Sequence, residues 1–296
     1  MKKNKVGQTA IGAAGVRLIE LYYPKKIRLF EDHFAKDLLN QPWKFIMSLM
    51  RFKSIRDAMI KMREKQVPGT LGGLICRTRY IDDVLKSAIE KGIENIVILG
   101  AGLDSRPYRI PEISKTKVFE VDLPSTQNFK KKRLKKVLGS LPSHVTFVPI
   151  DFNNQTLEEV LEPEVLDLLK PVIFIWEGVT QYITAEAVES TLKYISKTCS
   201  GSMIVFTYIL KSVIDGSSNI EGADTLMKII SKAKVPWIFG LEPSNIKEFL
   251  QQYNLSLIED IGASYYQEKY LKPLGRNLNV FEVERIAFAK VIKNDQ

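Results

Sequence analysis

Short runs of branched and aromatic apolar residues alternate with amphipathic segments from residue 95 onward. The runs cover residues 95–100, 117–122, 145–151, 171–177 and 202–208. Their length and their content of Val, Ile and Phe are typical of strands that are buried on both faces. Segments with helical spacing separate the runs, and this alternation predicts a doubly wound α/β fold with a mostly parallel sheet.

The first 75 residues follow a helical pattern instead. Apolar residues recur at helical spacing from Thr9 to Tyr22, and Pro24 ends that helix. Residues 27–66 continue the helical pattern, while 67–73 predict a loop because three glycines and a proline fall in seven positions. We therefore expect a helical cap at 1–75 before a sheet domain at 76–296.

Several helices of the predicted sheet domain carry start and stop signals. Arg77–Lys91 is predicted to be helical, with Asp82 and Lys86 placed to pair at i,i+4. Thr156 opens a capping box, and Pro163 is expected to split the region after it into two short helices.

Composition and charge are typical of a folded soluble protein. Of the 296 residues, 45% are apolar and 26% are charged, and the formal net charge is +9. Because neither a membrane-spanning run nor a signal peptide is apparent, we expect a cytoplasmic protein without a membrane partner. The positive charge fits a plain basic surface, and it also fits an anionic substrate.

A basic run at residues 130–136 supplies much of this charge. On a helix, its six basic residues would spread around most of the circumference, with a buried stripe made of Phe129, Leu134, Val137 and Leu138. This pattern favours a solvated helix face over a nucleic-acid patch, so a nucleic-acid partner is not expected.

The few cysteines and histidines exclude several kinds of site. Cys76 and Cys199 lie far apart in the sequence and form no motif, which is typical of a reducing compartment. Since His33 and His144 are the only histidines, a histidine-rich metal site is excluded and a Ser-His-Asp triad is disfavoured. We expect no metal ion.

The first predicted strand ends in the glycine turn Gly100-Ala101-Gly102. Two glycines allow a tight turn and a close approach of ligand to the main chain. Asp104 follows at once, and Ser105 stands where a dinucleotide-binding motif has its third glycine. A carboxylate there repels phosphate and suits a cationic or hydroxyl-bearing ligand. The turn therefore indicates a nucleoside ligand without phosphate, such as S-adenosyl-L-methionine.

An acid also ends the second predicted strand. Asp122 lies 20 residues beyond Gly102, where a carboxylate can accept hydrogen bonds from both hydroxyls of a ribose. Glu120 would face the same side of the sheet, but we favour Asp122 because it lies nearer the strand end.

Two further acids end the third and fourth predicted strands. Asp151 is placed to accept a hydrogen bond from an adenine amino group, with Phe152 packing on the ring. Glu177 is placed to face the amino-acid tail of the cofactor. Each acid alone would be interpreted as a turn or capping residue. Together with the glycine turn, they predict a ligand site at the carboxyl edge of the sheet.

Arginines and one tyrosine complete the set of candidates. Arg77 and Arg79 begin the helix before the first strand, and either guanidinium could clamp a carboxylate. Arg106 follows the turn and could brace the site by pairing with an acid. Tyr182, after the fourth strand, could line an acceptor pocket or simply pack. Arg79 and Tyr182 are thus the candidates for contact with the reacting groups.

Five stretches in sensible order resemble the leucine carboxyl methyltransferase family, more closely its bacterial and archaeal O-methyltransferase branch. They are residues 77–83, 99–106, 119–122 followed by Pro124, 148–152 and 176–183. The resemblance implies a Rossmann-like sheet of seven strands whose last strand is antiparallel, with 255–261 and 285–292 as candidates for the final two.

The same resemblance assigns roles to individual residues. Arg77 would hold the cofactor carboxylate above the turn formed by Gly100, Ala101 and Gly102. Asp122 would hold the ribose, Asp151 and Phe152 would meet the adenine, and Glu177 would lie near the cofactor tail. No family motif matches between 210 and 276, and we expect a substrate lid at 210–245.

The leading hypothesis is an S-adenosylmethionine-dependent methyltransferase, and the resemblance favours an oxygen of a small molecule as acceptor. A carboxylate acceptor is chemically simplest, because no general base stands beside the predicted site and a carboxylate is already ionised. The alternatives are a nucleotide-dependent oxidoreductase, a nucleic-acid methyltransferase and a cofactor-binding module without turnover.

Overall fold

A computed structural model describes residues 8–161, 166–232 and 236–292. The predicted split at Pro163 lies outside these ranges. Within them, no helix is long and apolar enough to cross a membrane.

The centre of the protein is a sheet of seven strands in the order β3-β2-β1-β4-β5-β7-β6. The strands are β1 (Asn95–Leu99), β2 (Lys117–Asp122), β3 (Val145–Pro149), β4 (Val172–Trp176), β5 (Met203–Ile209), β6 (Leu255–Ile261) and β7 (Glu284–Val291). All pairings among β1 to β5 are parallel, and β7 runs antiparallel to both of its neighbours. The predicted α/β fold with an antiparallel last strand is confirmed.

Helices and short turns cover both faces of this sheet. The helices are α1 (Gln8–Glu20), α2 (Ala35–Leu38), α3 (Gln41–Leu49), α4 (Lys53–Gln66), α5 (Thr70–Glu90), α6 (Arg106–Arg109), α7 (Pro124–Leu138), α8 (Leu157–Val160), α9 (Ala185–Ser196), α10 (Lys211–Ile214), α11 (Ala223–Lys232), α12 (Ile246–Gln251) and α13 (Ala263–Tyr266). Short 3-10 helices lie at Lys25–Ile27, Pro111–Lys115, Thr180–Tyr182, Pro243–Asn245 and Lys272–Leu274, and a short π-helix lies at Gln267–Leu271.

Alternate residues of the central strands pack into two different cores. Ile96 and Ile98 of β1 face the core that contains the N-terminal helices, whereas Val97 and Leu99 face the core beneath α8, α9 and α12. All five residues of β1 and all five of β4 are buried. This double burial explains why these strands are continuous apolar runs without polar alternation.

The N-terminal region is helical, as predicted, but the predicted loop at 67–73 is largely wrong. Helix α5 already begins at Thr70, so the predicted boundary at residue 75 falls inside it. A Cβ atom on Gly72 would lie 2.1 Å from the carbonyl oxygen of Asn279. The glycines were interpreted as turn residues, whereas Gly72 is required where α5 packs closely against a distant segment.

The basic run lies on α7, and its predicted burial pattern needs two corrections. Lys130 is buried, and its ammonium group lies 2.7 Å from the carboxylate of Glu120, which is also buried. Leu134 is buried as expected, but Val137 and Leu138 at the end of the helix are exposed. The exposed lysines were predicted correctly, and Lys130 differs because a strand acid lies beneath it.

Replacing Lys130 by methionine is expected to destabilise the fold strongly. The Glu120 carboxylate would remain buried without its cation, which costs about 3–5 kcal/mol in free energy of unfolding. Urea unfolding followed by circular dichroism measures the loss. The double variant Glu120→Gln/Lys130→Met should be more stable than Lys130→Met alone, because it removes the uncompensated charge.

The matched control for this change is Lys135→Met, since Lys135 is an exposed lysine of the same helix. Its effect should stay within about 0.5 kcal/mol. Equal stability of the Lys130→Met and Lys135→Met variants would contradict the buried pair.

Candidate functional site

The glycine turn leaves β1 with the geometry that only glycine adopts easily. Gly100 and Gly102 have φ angles of +63° and +43°. A Cβ atom on Gly100 would lie 2.3 Å from a methyl carbon of Val179. The amide groups of Gly100 and Ala101 both donate to the carbonyl oxygen of Val121, at 2.8 and 3.1 Å. The turn is therefore held against the end of β2, where Asp122 lies.

Asp122 contacts the turn directly. One carboxylate oxygen accepts from the amide of Gly102, and the other accepts from the amide of Leu123 at 2.6 Å. Burial raises the pKa of Asp122, although the two amide hydrogen bonds oppose that effect. The carboxylate thus stands beside the turn at the carboxyl edge of the sheet.

Glu120, two residues earlier, lies in a closed environment. It pairs with Lys130 and accepts a hydrogen bond of 2.7 Å from the hydroxyl of Tyr108. Burial raises the pKa of Glu120, and Lys130 opposes the shift. Because Glu120 is fully enclosed by protein groups, Asp122 is the better placed of the two acids to meet a ligand.

Arg106 is a buried charge at this edge of the sheet. Its side chain is 2% exposed, and three carboxylates surround it. Nε donates to Asp82 at 2.7 Å, and Nη1 donates to Asp104 and to Glu177, both at 2.6 Å. The structure places Arg106 as a brace between acids, which is the role proposed for it from sequence.

Arg77 extends this network to the last strand. Its Nε donates to Glu177 at 2.8 Å, and its Nη1 contacts both carboxylate oxygens of Glu284 at 2.9 and 2.8 Å. Nη2 donates to no acceptor in the part of the chain that the structure describes, and it lies near Gly178, where a Cβ would be 3.7 Å away. One edge of this guanidinium is therefore available to a ligand.

The linked charges form an arginine–carboxylate cluster, which consists of Arg77, Arg106, Arg109, Asp82, Asp104, Glu177 and Glu284. Burial tends to raise the pKa of Glu177, but Arg106 and Arg77 outweigh it and hold that pKa at about 2. Burial also opposes ionisation of Asp104, yet Arg106 and Arg17 hold its pKa well below the usual range. Three guanidinium groups thus face four carboxylates, which gives the cluster a net negative charge and suits a cationic ligand.

Three members of the cluster were not predicted as site residues: Asp82, Arg109 and Glu284. Asp82 was expected to pair with Lys86 on its own helix, but it binds Arg106 and Arg109 instead. Glu284 lies outside the stretches that resemble the family. The sequence nevertheless held a clue to Glu284, which directly precedes the predicted antiparallel last strand. The start of such a strand meets the carboxyl ends of its parallel neighbours.

Asp151 and Phe152 follow β3 at the same edge of the sheet. The Asp151 carboxylate accepts from the amide of Asn153 at 3.1 Å and from the side chain of Asn154 at 2.9 Å. These contacts make it a turn residue, as its alternative interpretation predicted. Phe152 is half-buried and packs against the core beneath α8 and α9.

The two candidates for acceptor contact lie in different places. Arg79 donates to Asp83 at 2.8 Å and to the carbonyl of Leu29 at 2.8 Å, so the structure does not bring it into the cluster. Residues two positions apart on an α-helix point in nearly opposite directions, and this separates Arg79 from Arg77. Tyr182 does lie at the site. Its ring packs edge-to-face on Trp237, with centroids 6.5 Å apart, and burial raises its pKa.

Helix α1 forms a wall over the glycine turn. The Cβ atom of Ala10 would lie 3.5 Å from a Cβ placed on Gly102. Arg17 donates to the carbonyl of Leu103 at 2.6 Å and to Asp32 at 2.8 Å. Ser105, noted in the sequence only as a missing glycine, donates to the same Asp32 at 2.6 Å.

The segment between β5 and β6 closes over the same edge. The amide of Leu241 donates to the carbonyl of Ile209 at 3.0 Å, and the amide of Ile238 donates to that of Gln181 at 2.8 Å. Helices α10 and α11 pack with the end of β5 in a small apolar core of their own. The region expected to be a lid therefore contacts Tyr182, through Trp237.

Solved structures share the fold of this chain. A protein from Thermobifida fusca YX matches with a TM-score of 0.58 at 16% identity, over 82% of this chain and 90% of that one. A duf574 family protein from Streptomyces avermitilis matches with a TM-score of 0.59 at 13% identity, over 93% of this chain and 96% of that one.

Sequence relatives and a family model define the family. The "Putative S-adenosyl-L-methionine-dependent methyltransferase YktD" of Bacillus subtilis (strain 168) is 28% identical over 297 residues, covering 95% of this chain and 97% of that protein. A relative in Mycobacterium sp. (strain JLS), with the same description, is 38% identical over 200 residues, covering 66% of this chain and 63% of its own length. The model for leucine carboxyl methyltransferase matches residues 10–196, more than half of the chain. The protein therefore belongs to the leucine carboxyl methyltransferase family of S-adenosylmethionine-dependent methyltransferases.

Proposed function

We propose that this protein transfers the methyl group of S-adenosylmethionine to an oxygen atom of a small acceptor. The observation that carries the proposal is the convergence of the glycine turn, Asp122 and the arginine–carboxylate cluster at one edge of the sheet. Family membership supports the reaction class, and the positions of Asp122 and Arg77 support the binding of a ligand that carries ribose hydroxyls and a carboxylate.

The described residues fit this cofactor. Asp122 stands where it can accept from the ribose hydroxyls, and the free edge of Arg77 can bind a carboxylate. Family resemblance assigns Asp151 and Phe152 to the adenine and Glu177 to the region of the tail. The net negative charge of the cluster favours the sulfonium and ammonium groups, since both are cations.

The same charges argue against the oxidoreductase alternative. Asp104 is held ionised by Arg106 and Arg17 directly after the glycine turn. A dinucleotide would have to place its pyrophosphate against this carboxylate, which repels it. No observation at the site favours a dinucleotide.

When bound, the cofactor supplies an electrophilic methyl carbon whose bond to sulfur breaks as the bond to the acceptor oxygen forms. The contribution of this chain is to orient the two reactants and to exclude water. Trp237, which belongs to the segment at 210–245, packs on Tyr182, so we place the acceptor beside this aromatic pair. Because its pKa is raised, Tyr182 stays protonated and can donate a hydrogen bond to the acceptor.

A carboxylate acceptor agrees best with these groups. His33 is exposed beside Glu31, and His144 lies 3.1 Å from the carbonyl of Pro107, so neither histidine contacts the cluster. An alcohol would require a general base, whereas a carboxylate is already ionised at neutral pH. Arg79, proposed from sequence to orient the acceptor, is engaged elsewhere and is not part of this proposal.

S-adenosylmethionine and S-adenosylhomocysteine should each stabilise the folded protein. At a hundredfold excess over the dissociation constant, the gain is about 2.7 kcal/mol in free energy of unfolding. A thermal-shift assay with matched concentrations of NAD and NADP provides the control. Stabilisation by NAD, without any by S-adenosylhomocysteine, would reverse the assignment of the cofactor.

Asp122→Asn should weaken cofactor binding by about tenfold or more, because a charge-assisted hydrogen bond is worth about 1.5–3 kcal/mol. Isothermal titration calorimetry on folded protein measures the change. The matched control is Glu120→Gln, which should lower stability while leaving the affinity per folded molecule nearly unchanged. A larger loss of affinity in the Glu120 variant would place the ribose elsewhere.

The methyl product should be labile in mild base. Incubation with methyl-labelled cofactor and a metabolite extract, followed by mild alkali, should release labelled methanol, because methyl esters hydrolyse under these conditions. Heat-inactivated protein provides the blank. Label that survives alkali would exclude the carboxylate acceptor, and label on nitrogen would exclude O-methylation altogether.

A further inference from the structure

Helices α3 and α4 expose an unusual number of large apolar side chains. Phe45 is 67% exposed and Met62 is 59% exposed. Six exposed large apolar residues occur within twenty positions: Trp43, Phe45, Ile46, Phe52, Ile55 and Met62. Elsewhere in the described chain such residues are scattered. Single exposed apolar residues are ordinary, but a contiguous group marks a contact surface.

Three of these exposed side chains accompany α4: Phe52 caps its N-terminus, and Ile55 and Met62 lie on the helix, two turns apart. Met59, between them, is partly buried and packs against the core. The buried Arg56 fixes the rotation of α4, because its Nη1 donates to the carbonyl of Tyr22 at 2.7 Å and its guanidinium lies 4.5 Å from the ring of Tyr23. Ile55 and Met62 are therefore held at the surface.

Basic side chains accompany this apolar surface. Residues 41–66 contain seven basic and two acidic side chains. Five of the basic side chains are exposed and form no ion pair with any residue that the structure describes: Arg51, Lys53, Lys61, Arg63 and Lys65. The guanidinium of Arg51 lies 4.7 Å from the ring centre of Phe52, so charge and aromatic surface are adjacent. We call residues 43–65 the α3–α4 surface.

We propose that the α3–α4 surface binds the interfacial layer of an anionic membrane. Exposed Trp and Phe enter the boundary between headgroups and acyl chains, while Lys and Arg bind anionic headgroups. A second copy of the chain fits less well, because a two-fold interface would place the same unpaired cations against one another. An interfacial helix needs no membrane-spanning segment, so the proposal is compatible with the finding that none of the described helices could cross a membrane.

The α3–α4 surface also lies close to the segment expected to be the lid. Val67 to Gly69 connect α4 directly to α5. A Cβ atom on Gly222 would lie 2.9 Å from the ring of Pro68. A protein bound to a membrane through α4 would therefore hold the 210–245 segment near that membrane. The proposal itself is independent of the reaction and is tested by binding alone.

Co-sedimentation with vesicles tests the proposal on the full chain. The protein should pellet with vesicles that contain equal amounts of phosphatidylcholine and phosphatidylglycerol, and much less with phosphatidylcholine alone. Binding should weaken as salt is added, because salt screens the attraction between basic side chains and anionic headgroups.

Trp43 provides a second signal, since it is 44% exposed whereas Trp176 is buried. The tryptophan emission should shift to the blue with anionic vesicles, and Trp43→Phe should remove that shift.

Paired variants distinguish binding through the α3–α4 surface from non-specific adsorption of the protein to vesicles. Phe45→Ser/Phe52→Ser should weaken vesicle binding about tenfold or more, whereas Leu169→Ser, which changes another exposed apolar residue, should not. Lys61→Gln/Lys65→Gln should weaken it by a similar factor, whereas Lys135→Gln/Lys136→Gln on α7 should not. Failure to bind anionic vesicles would overturn the proposal, as would equal losses in the α3–α4 and control variants. A dimer that dissociates in the Phe45→Ser/Phe52→Ser variant, without vesicle binding, would assign the surface to a second copy.

Discussion

The buried guanidinium of Arg106 is the interaction on which the site depends. An isolated charge in a protein interior costs several kcal/mol, and here carboxylates from three parts of the chain offset that cost. Asp82 belongs to α5, Asp104 follows the glycine turn, and Glu177 follows β4. A single side chain therefore joins a helix, a turn and a strand end. Because the loss of any one carboxylate would leave the buried guanidinium less fully compensated, the members of the cluster stabilise one another.

The same network fixes the charge that the site presents to a ligand. The pKa of Glu177 is about 2, and that of Asp104 lies well below its usual range. Burial of Arg106 is outweighed by its carboxylate partners, which raise its pKa. None of these groups changes protonation near neutral pH. The site can thus offer an unvarying, slightly negative surface, and charges fixed in advance need no rearrangement when a cationic ligand arrives. Asp122 differs, since burial raises its pKa, while the amides of Gly102 and Leu123, the charge of Lys130 and the side chain of Thr126 oppose that shift.

Local pattern was sufficient for the sheet but not for the pairing of charges. The strands follow from runs of Val, Ile and Phe, and the site edge follows from the acids after those runs. Arg106, however, finds Asp82 and Glu177 at separations of 24 and 71 residues, and Arg77 finds Glu284 at 207. Such contacts depend on the completed topology, so the local Asp82–Lys86 pair was chosen wrongly. The burial of Lys130 was missed for the same reason, because its partner Glu120 lies on a strand outside the run of lysines.

The N-terminal helices contact the glycine turn on one side and expose the α3–α4 surface on the other. Their inner side is bound to the glycine turn, because Arg17 and Ser105 share Asp32 and Arg17 also reaches the carbonyl of Leu103. Their outer side carries the exposed apolar side chains of α4, and α4 continues through three residues into α5, which bears Arg77. The helix that carries part of the α3–α4 surface is therefore followed directly in the chain by the helix that carries Arg77. If binding at one of these surfaces changes the affinity of the other, thermodynamic reciprocity requires that binding at the second changes the affinity of the first by the same factor.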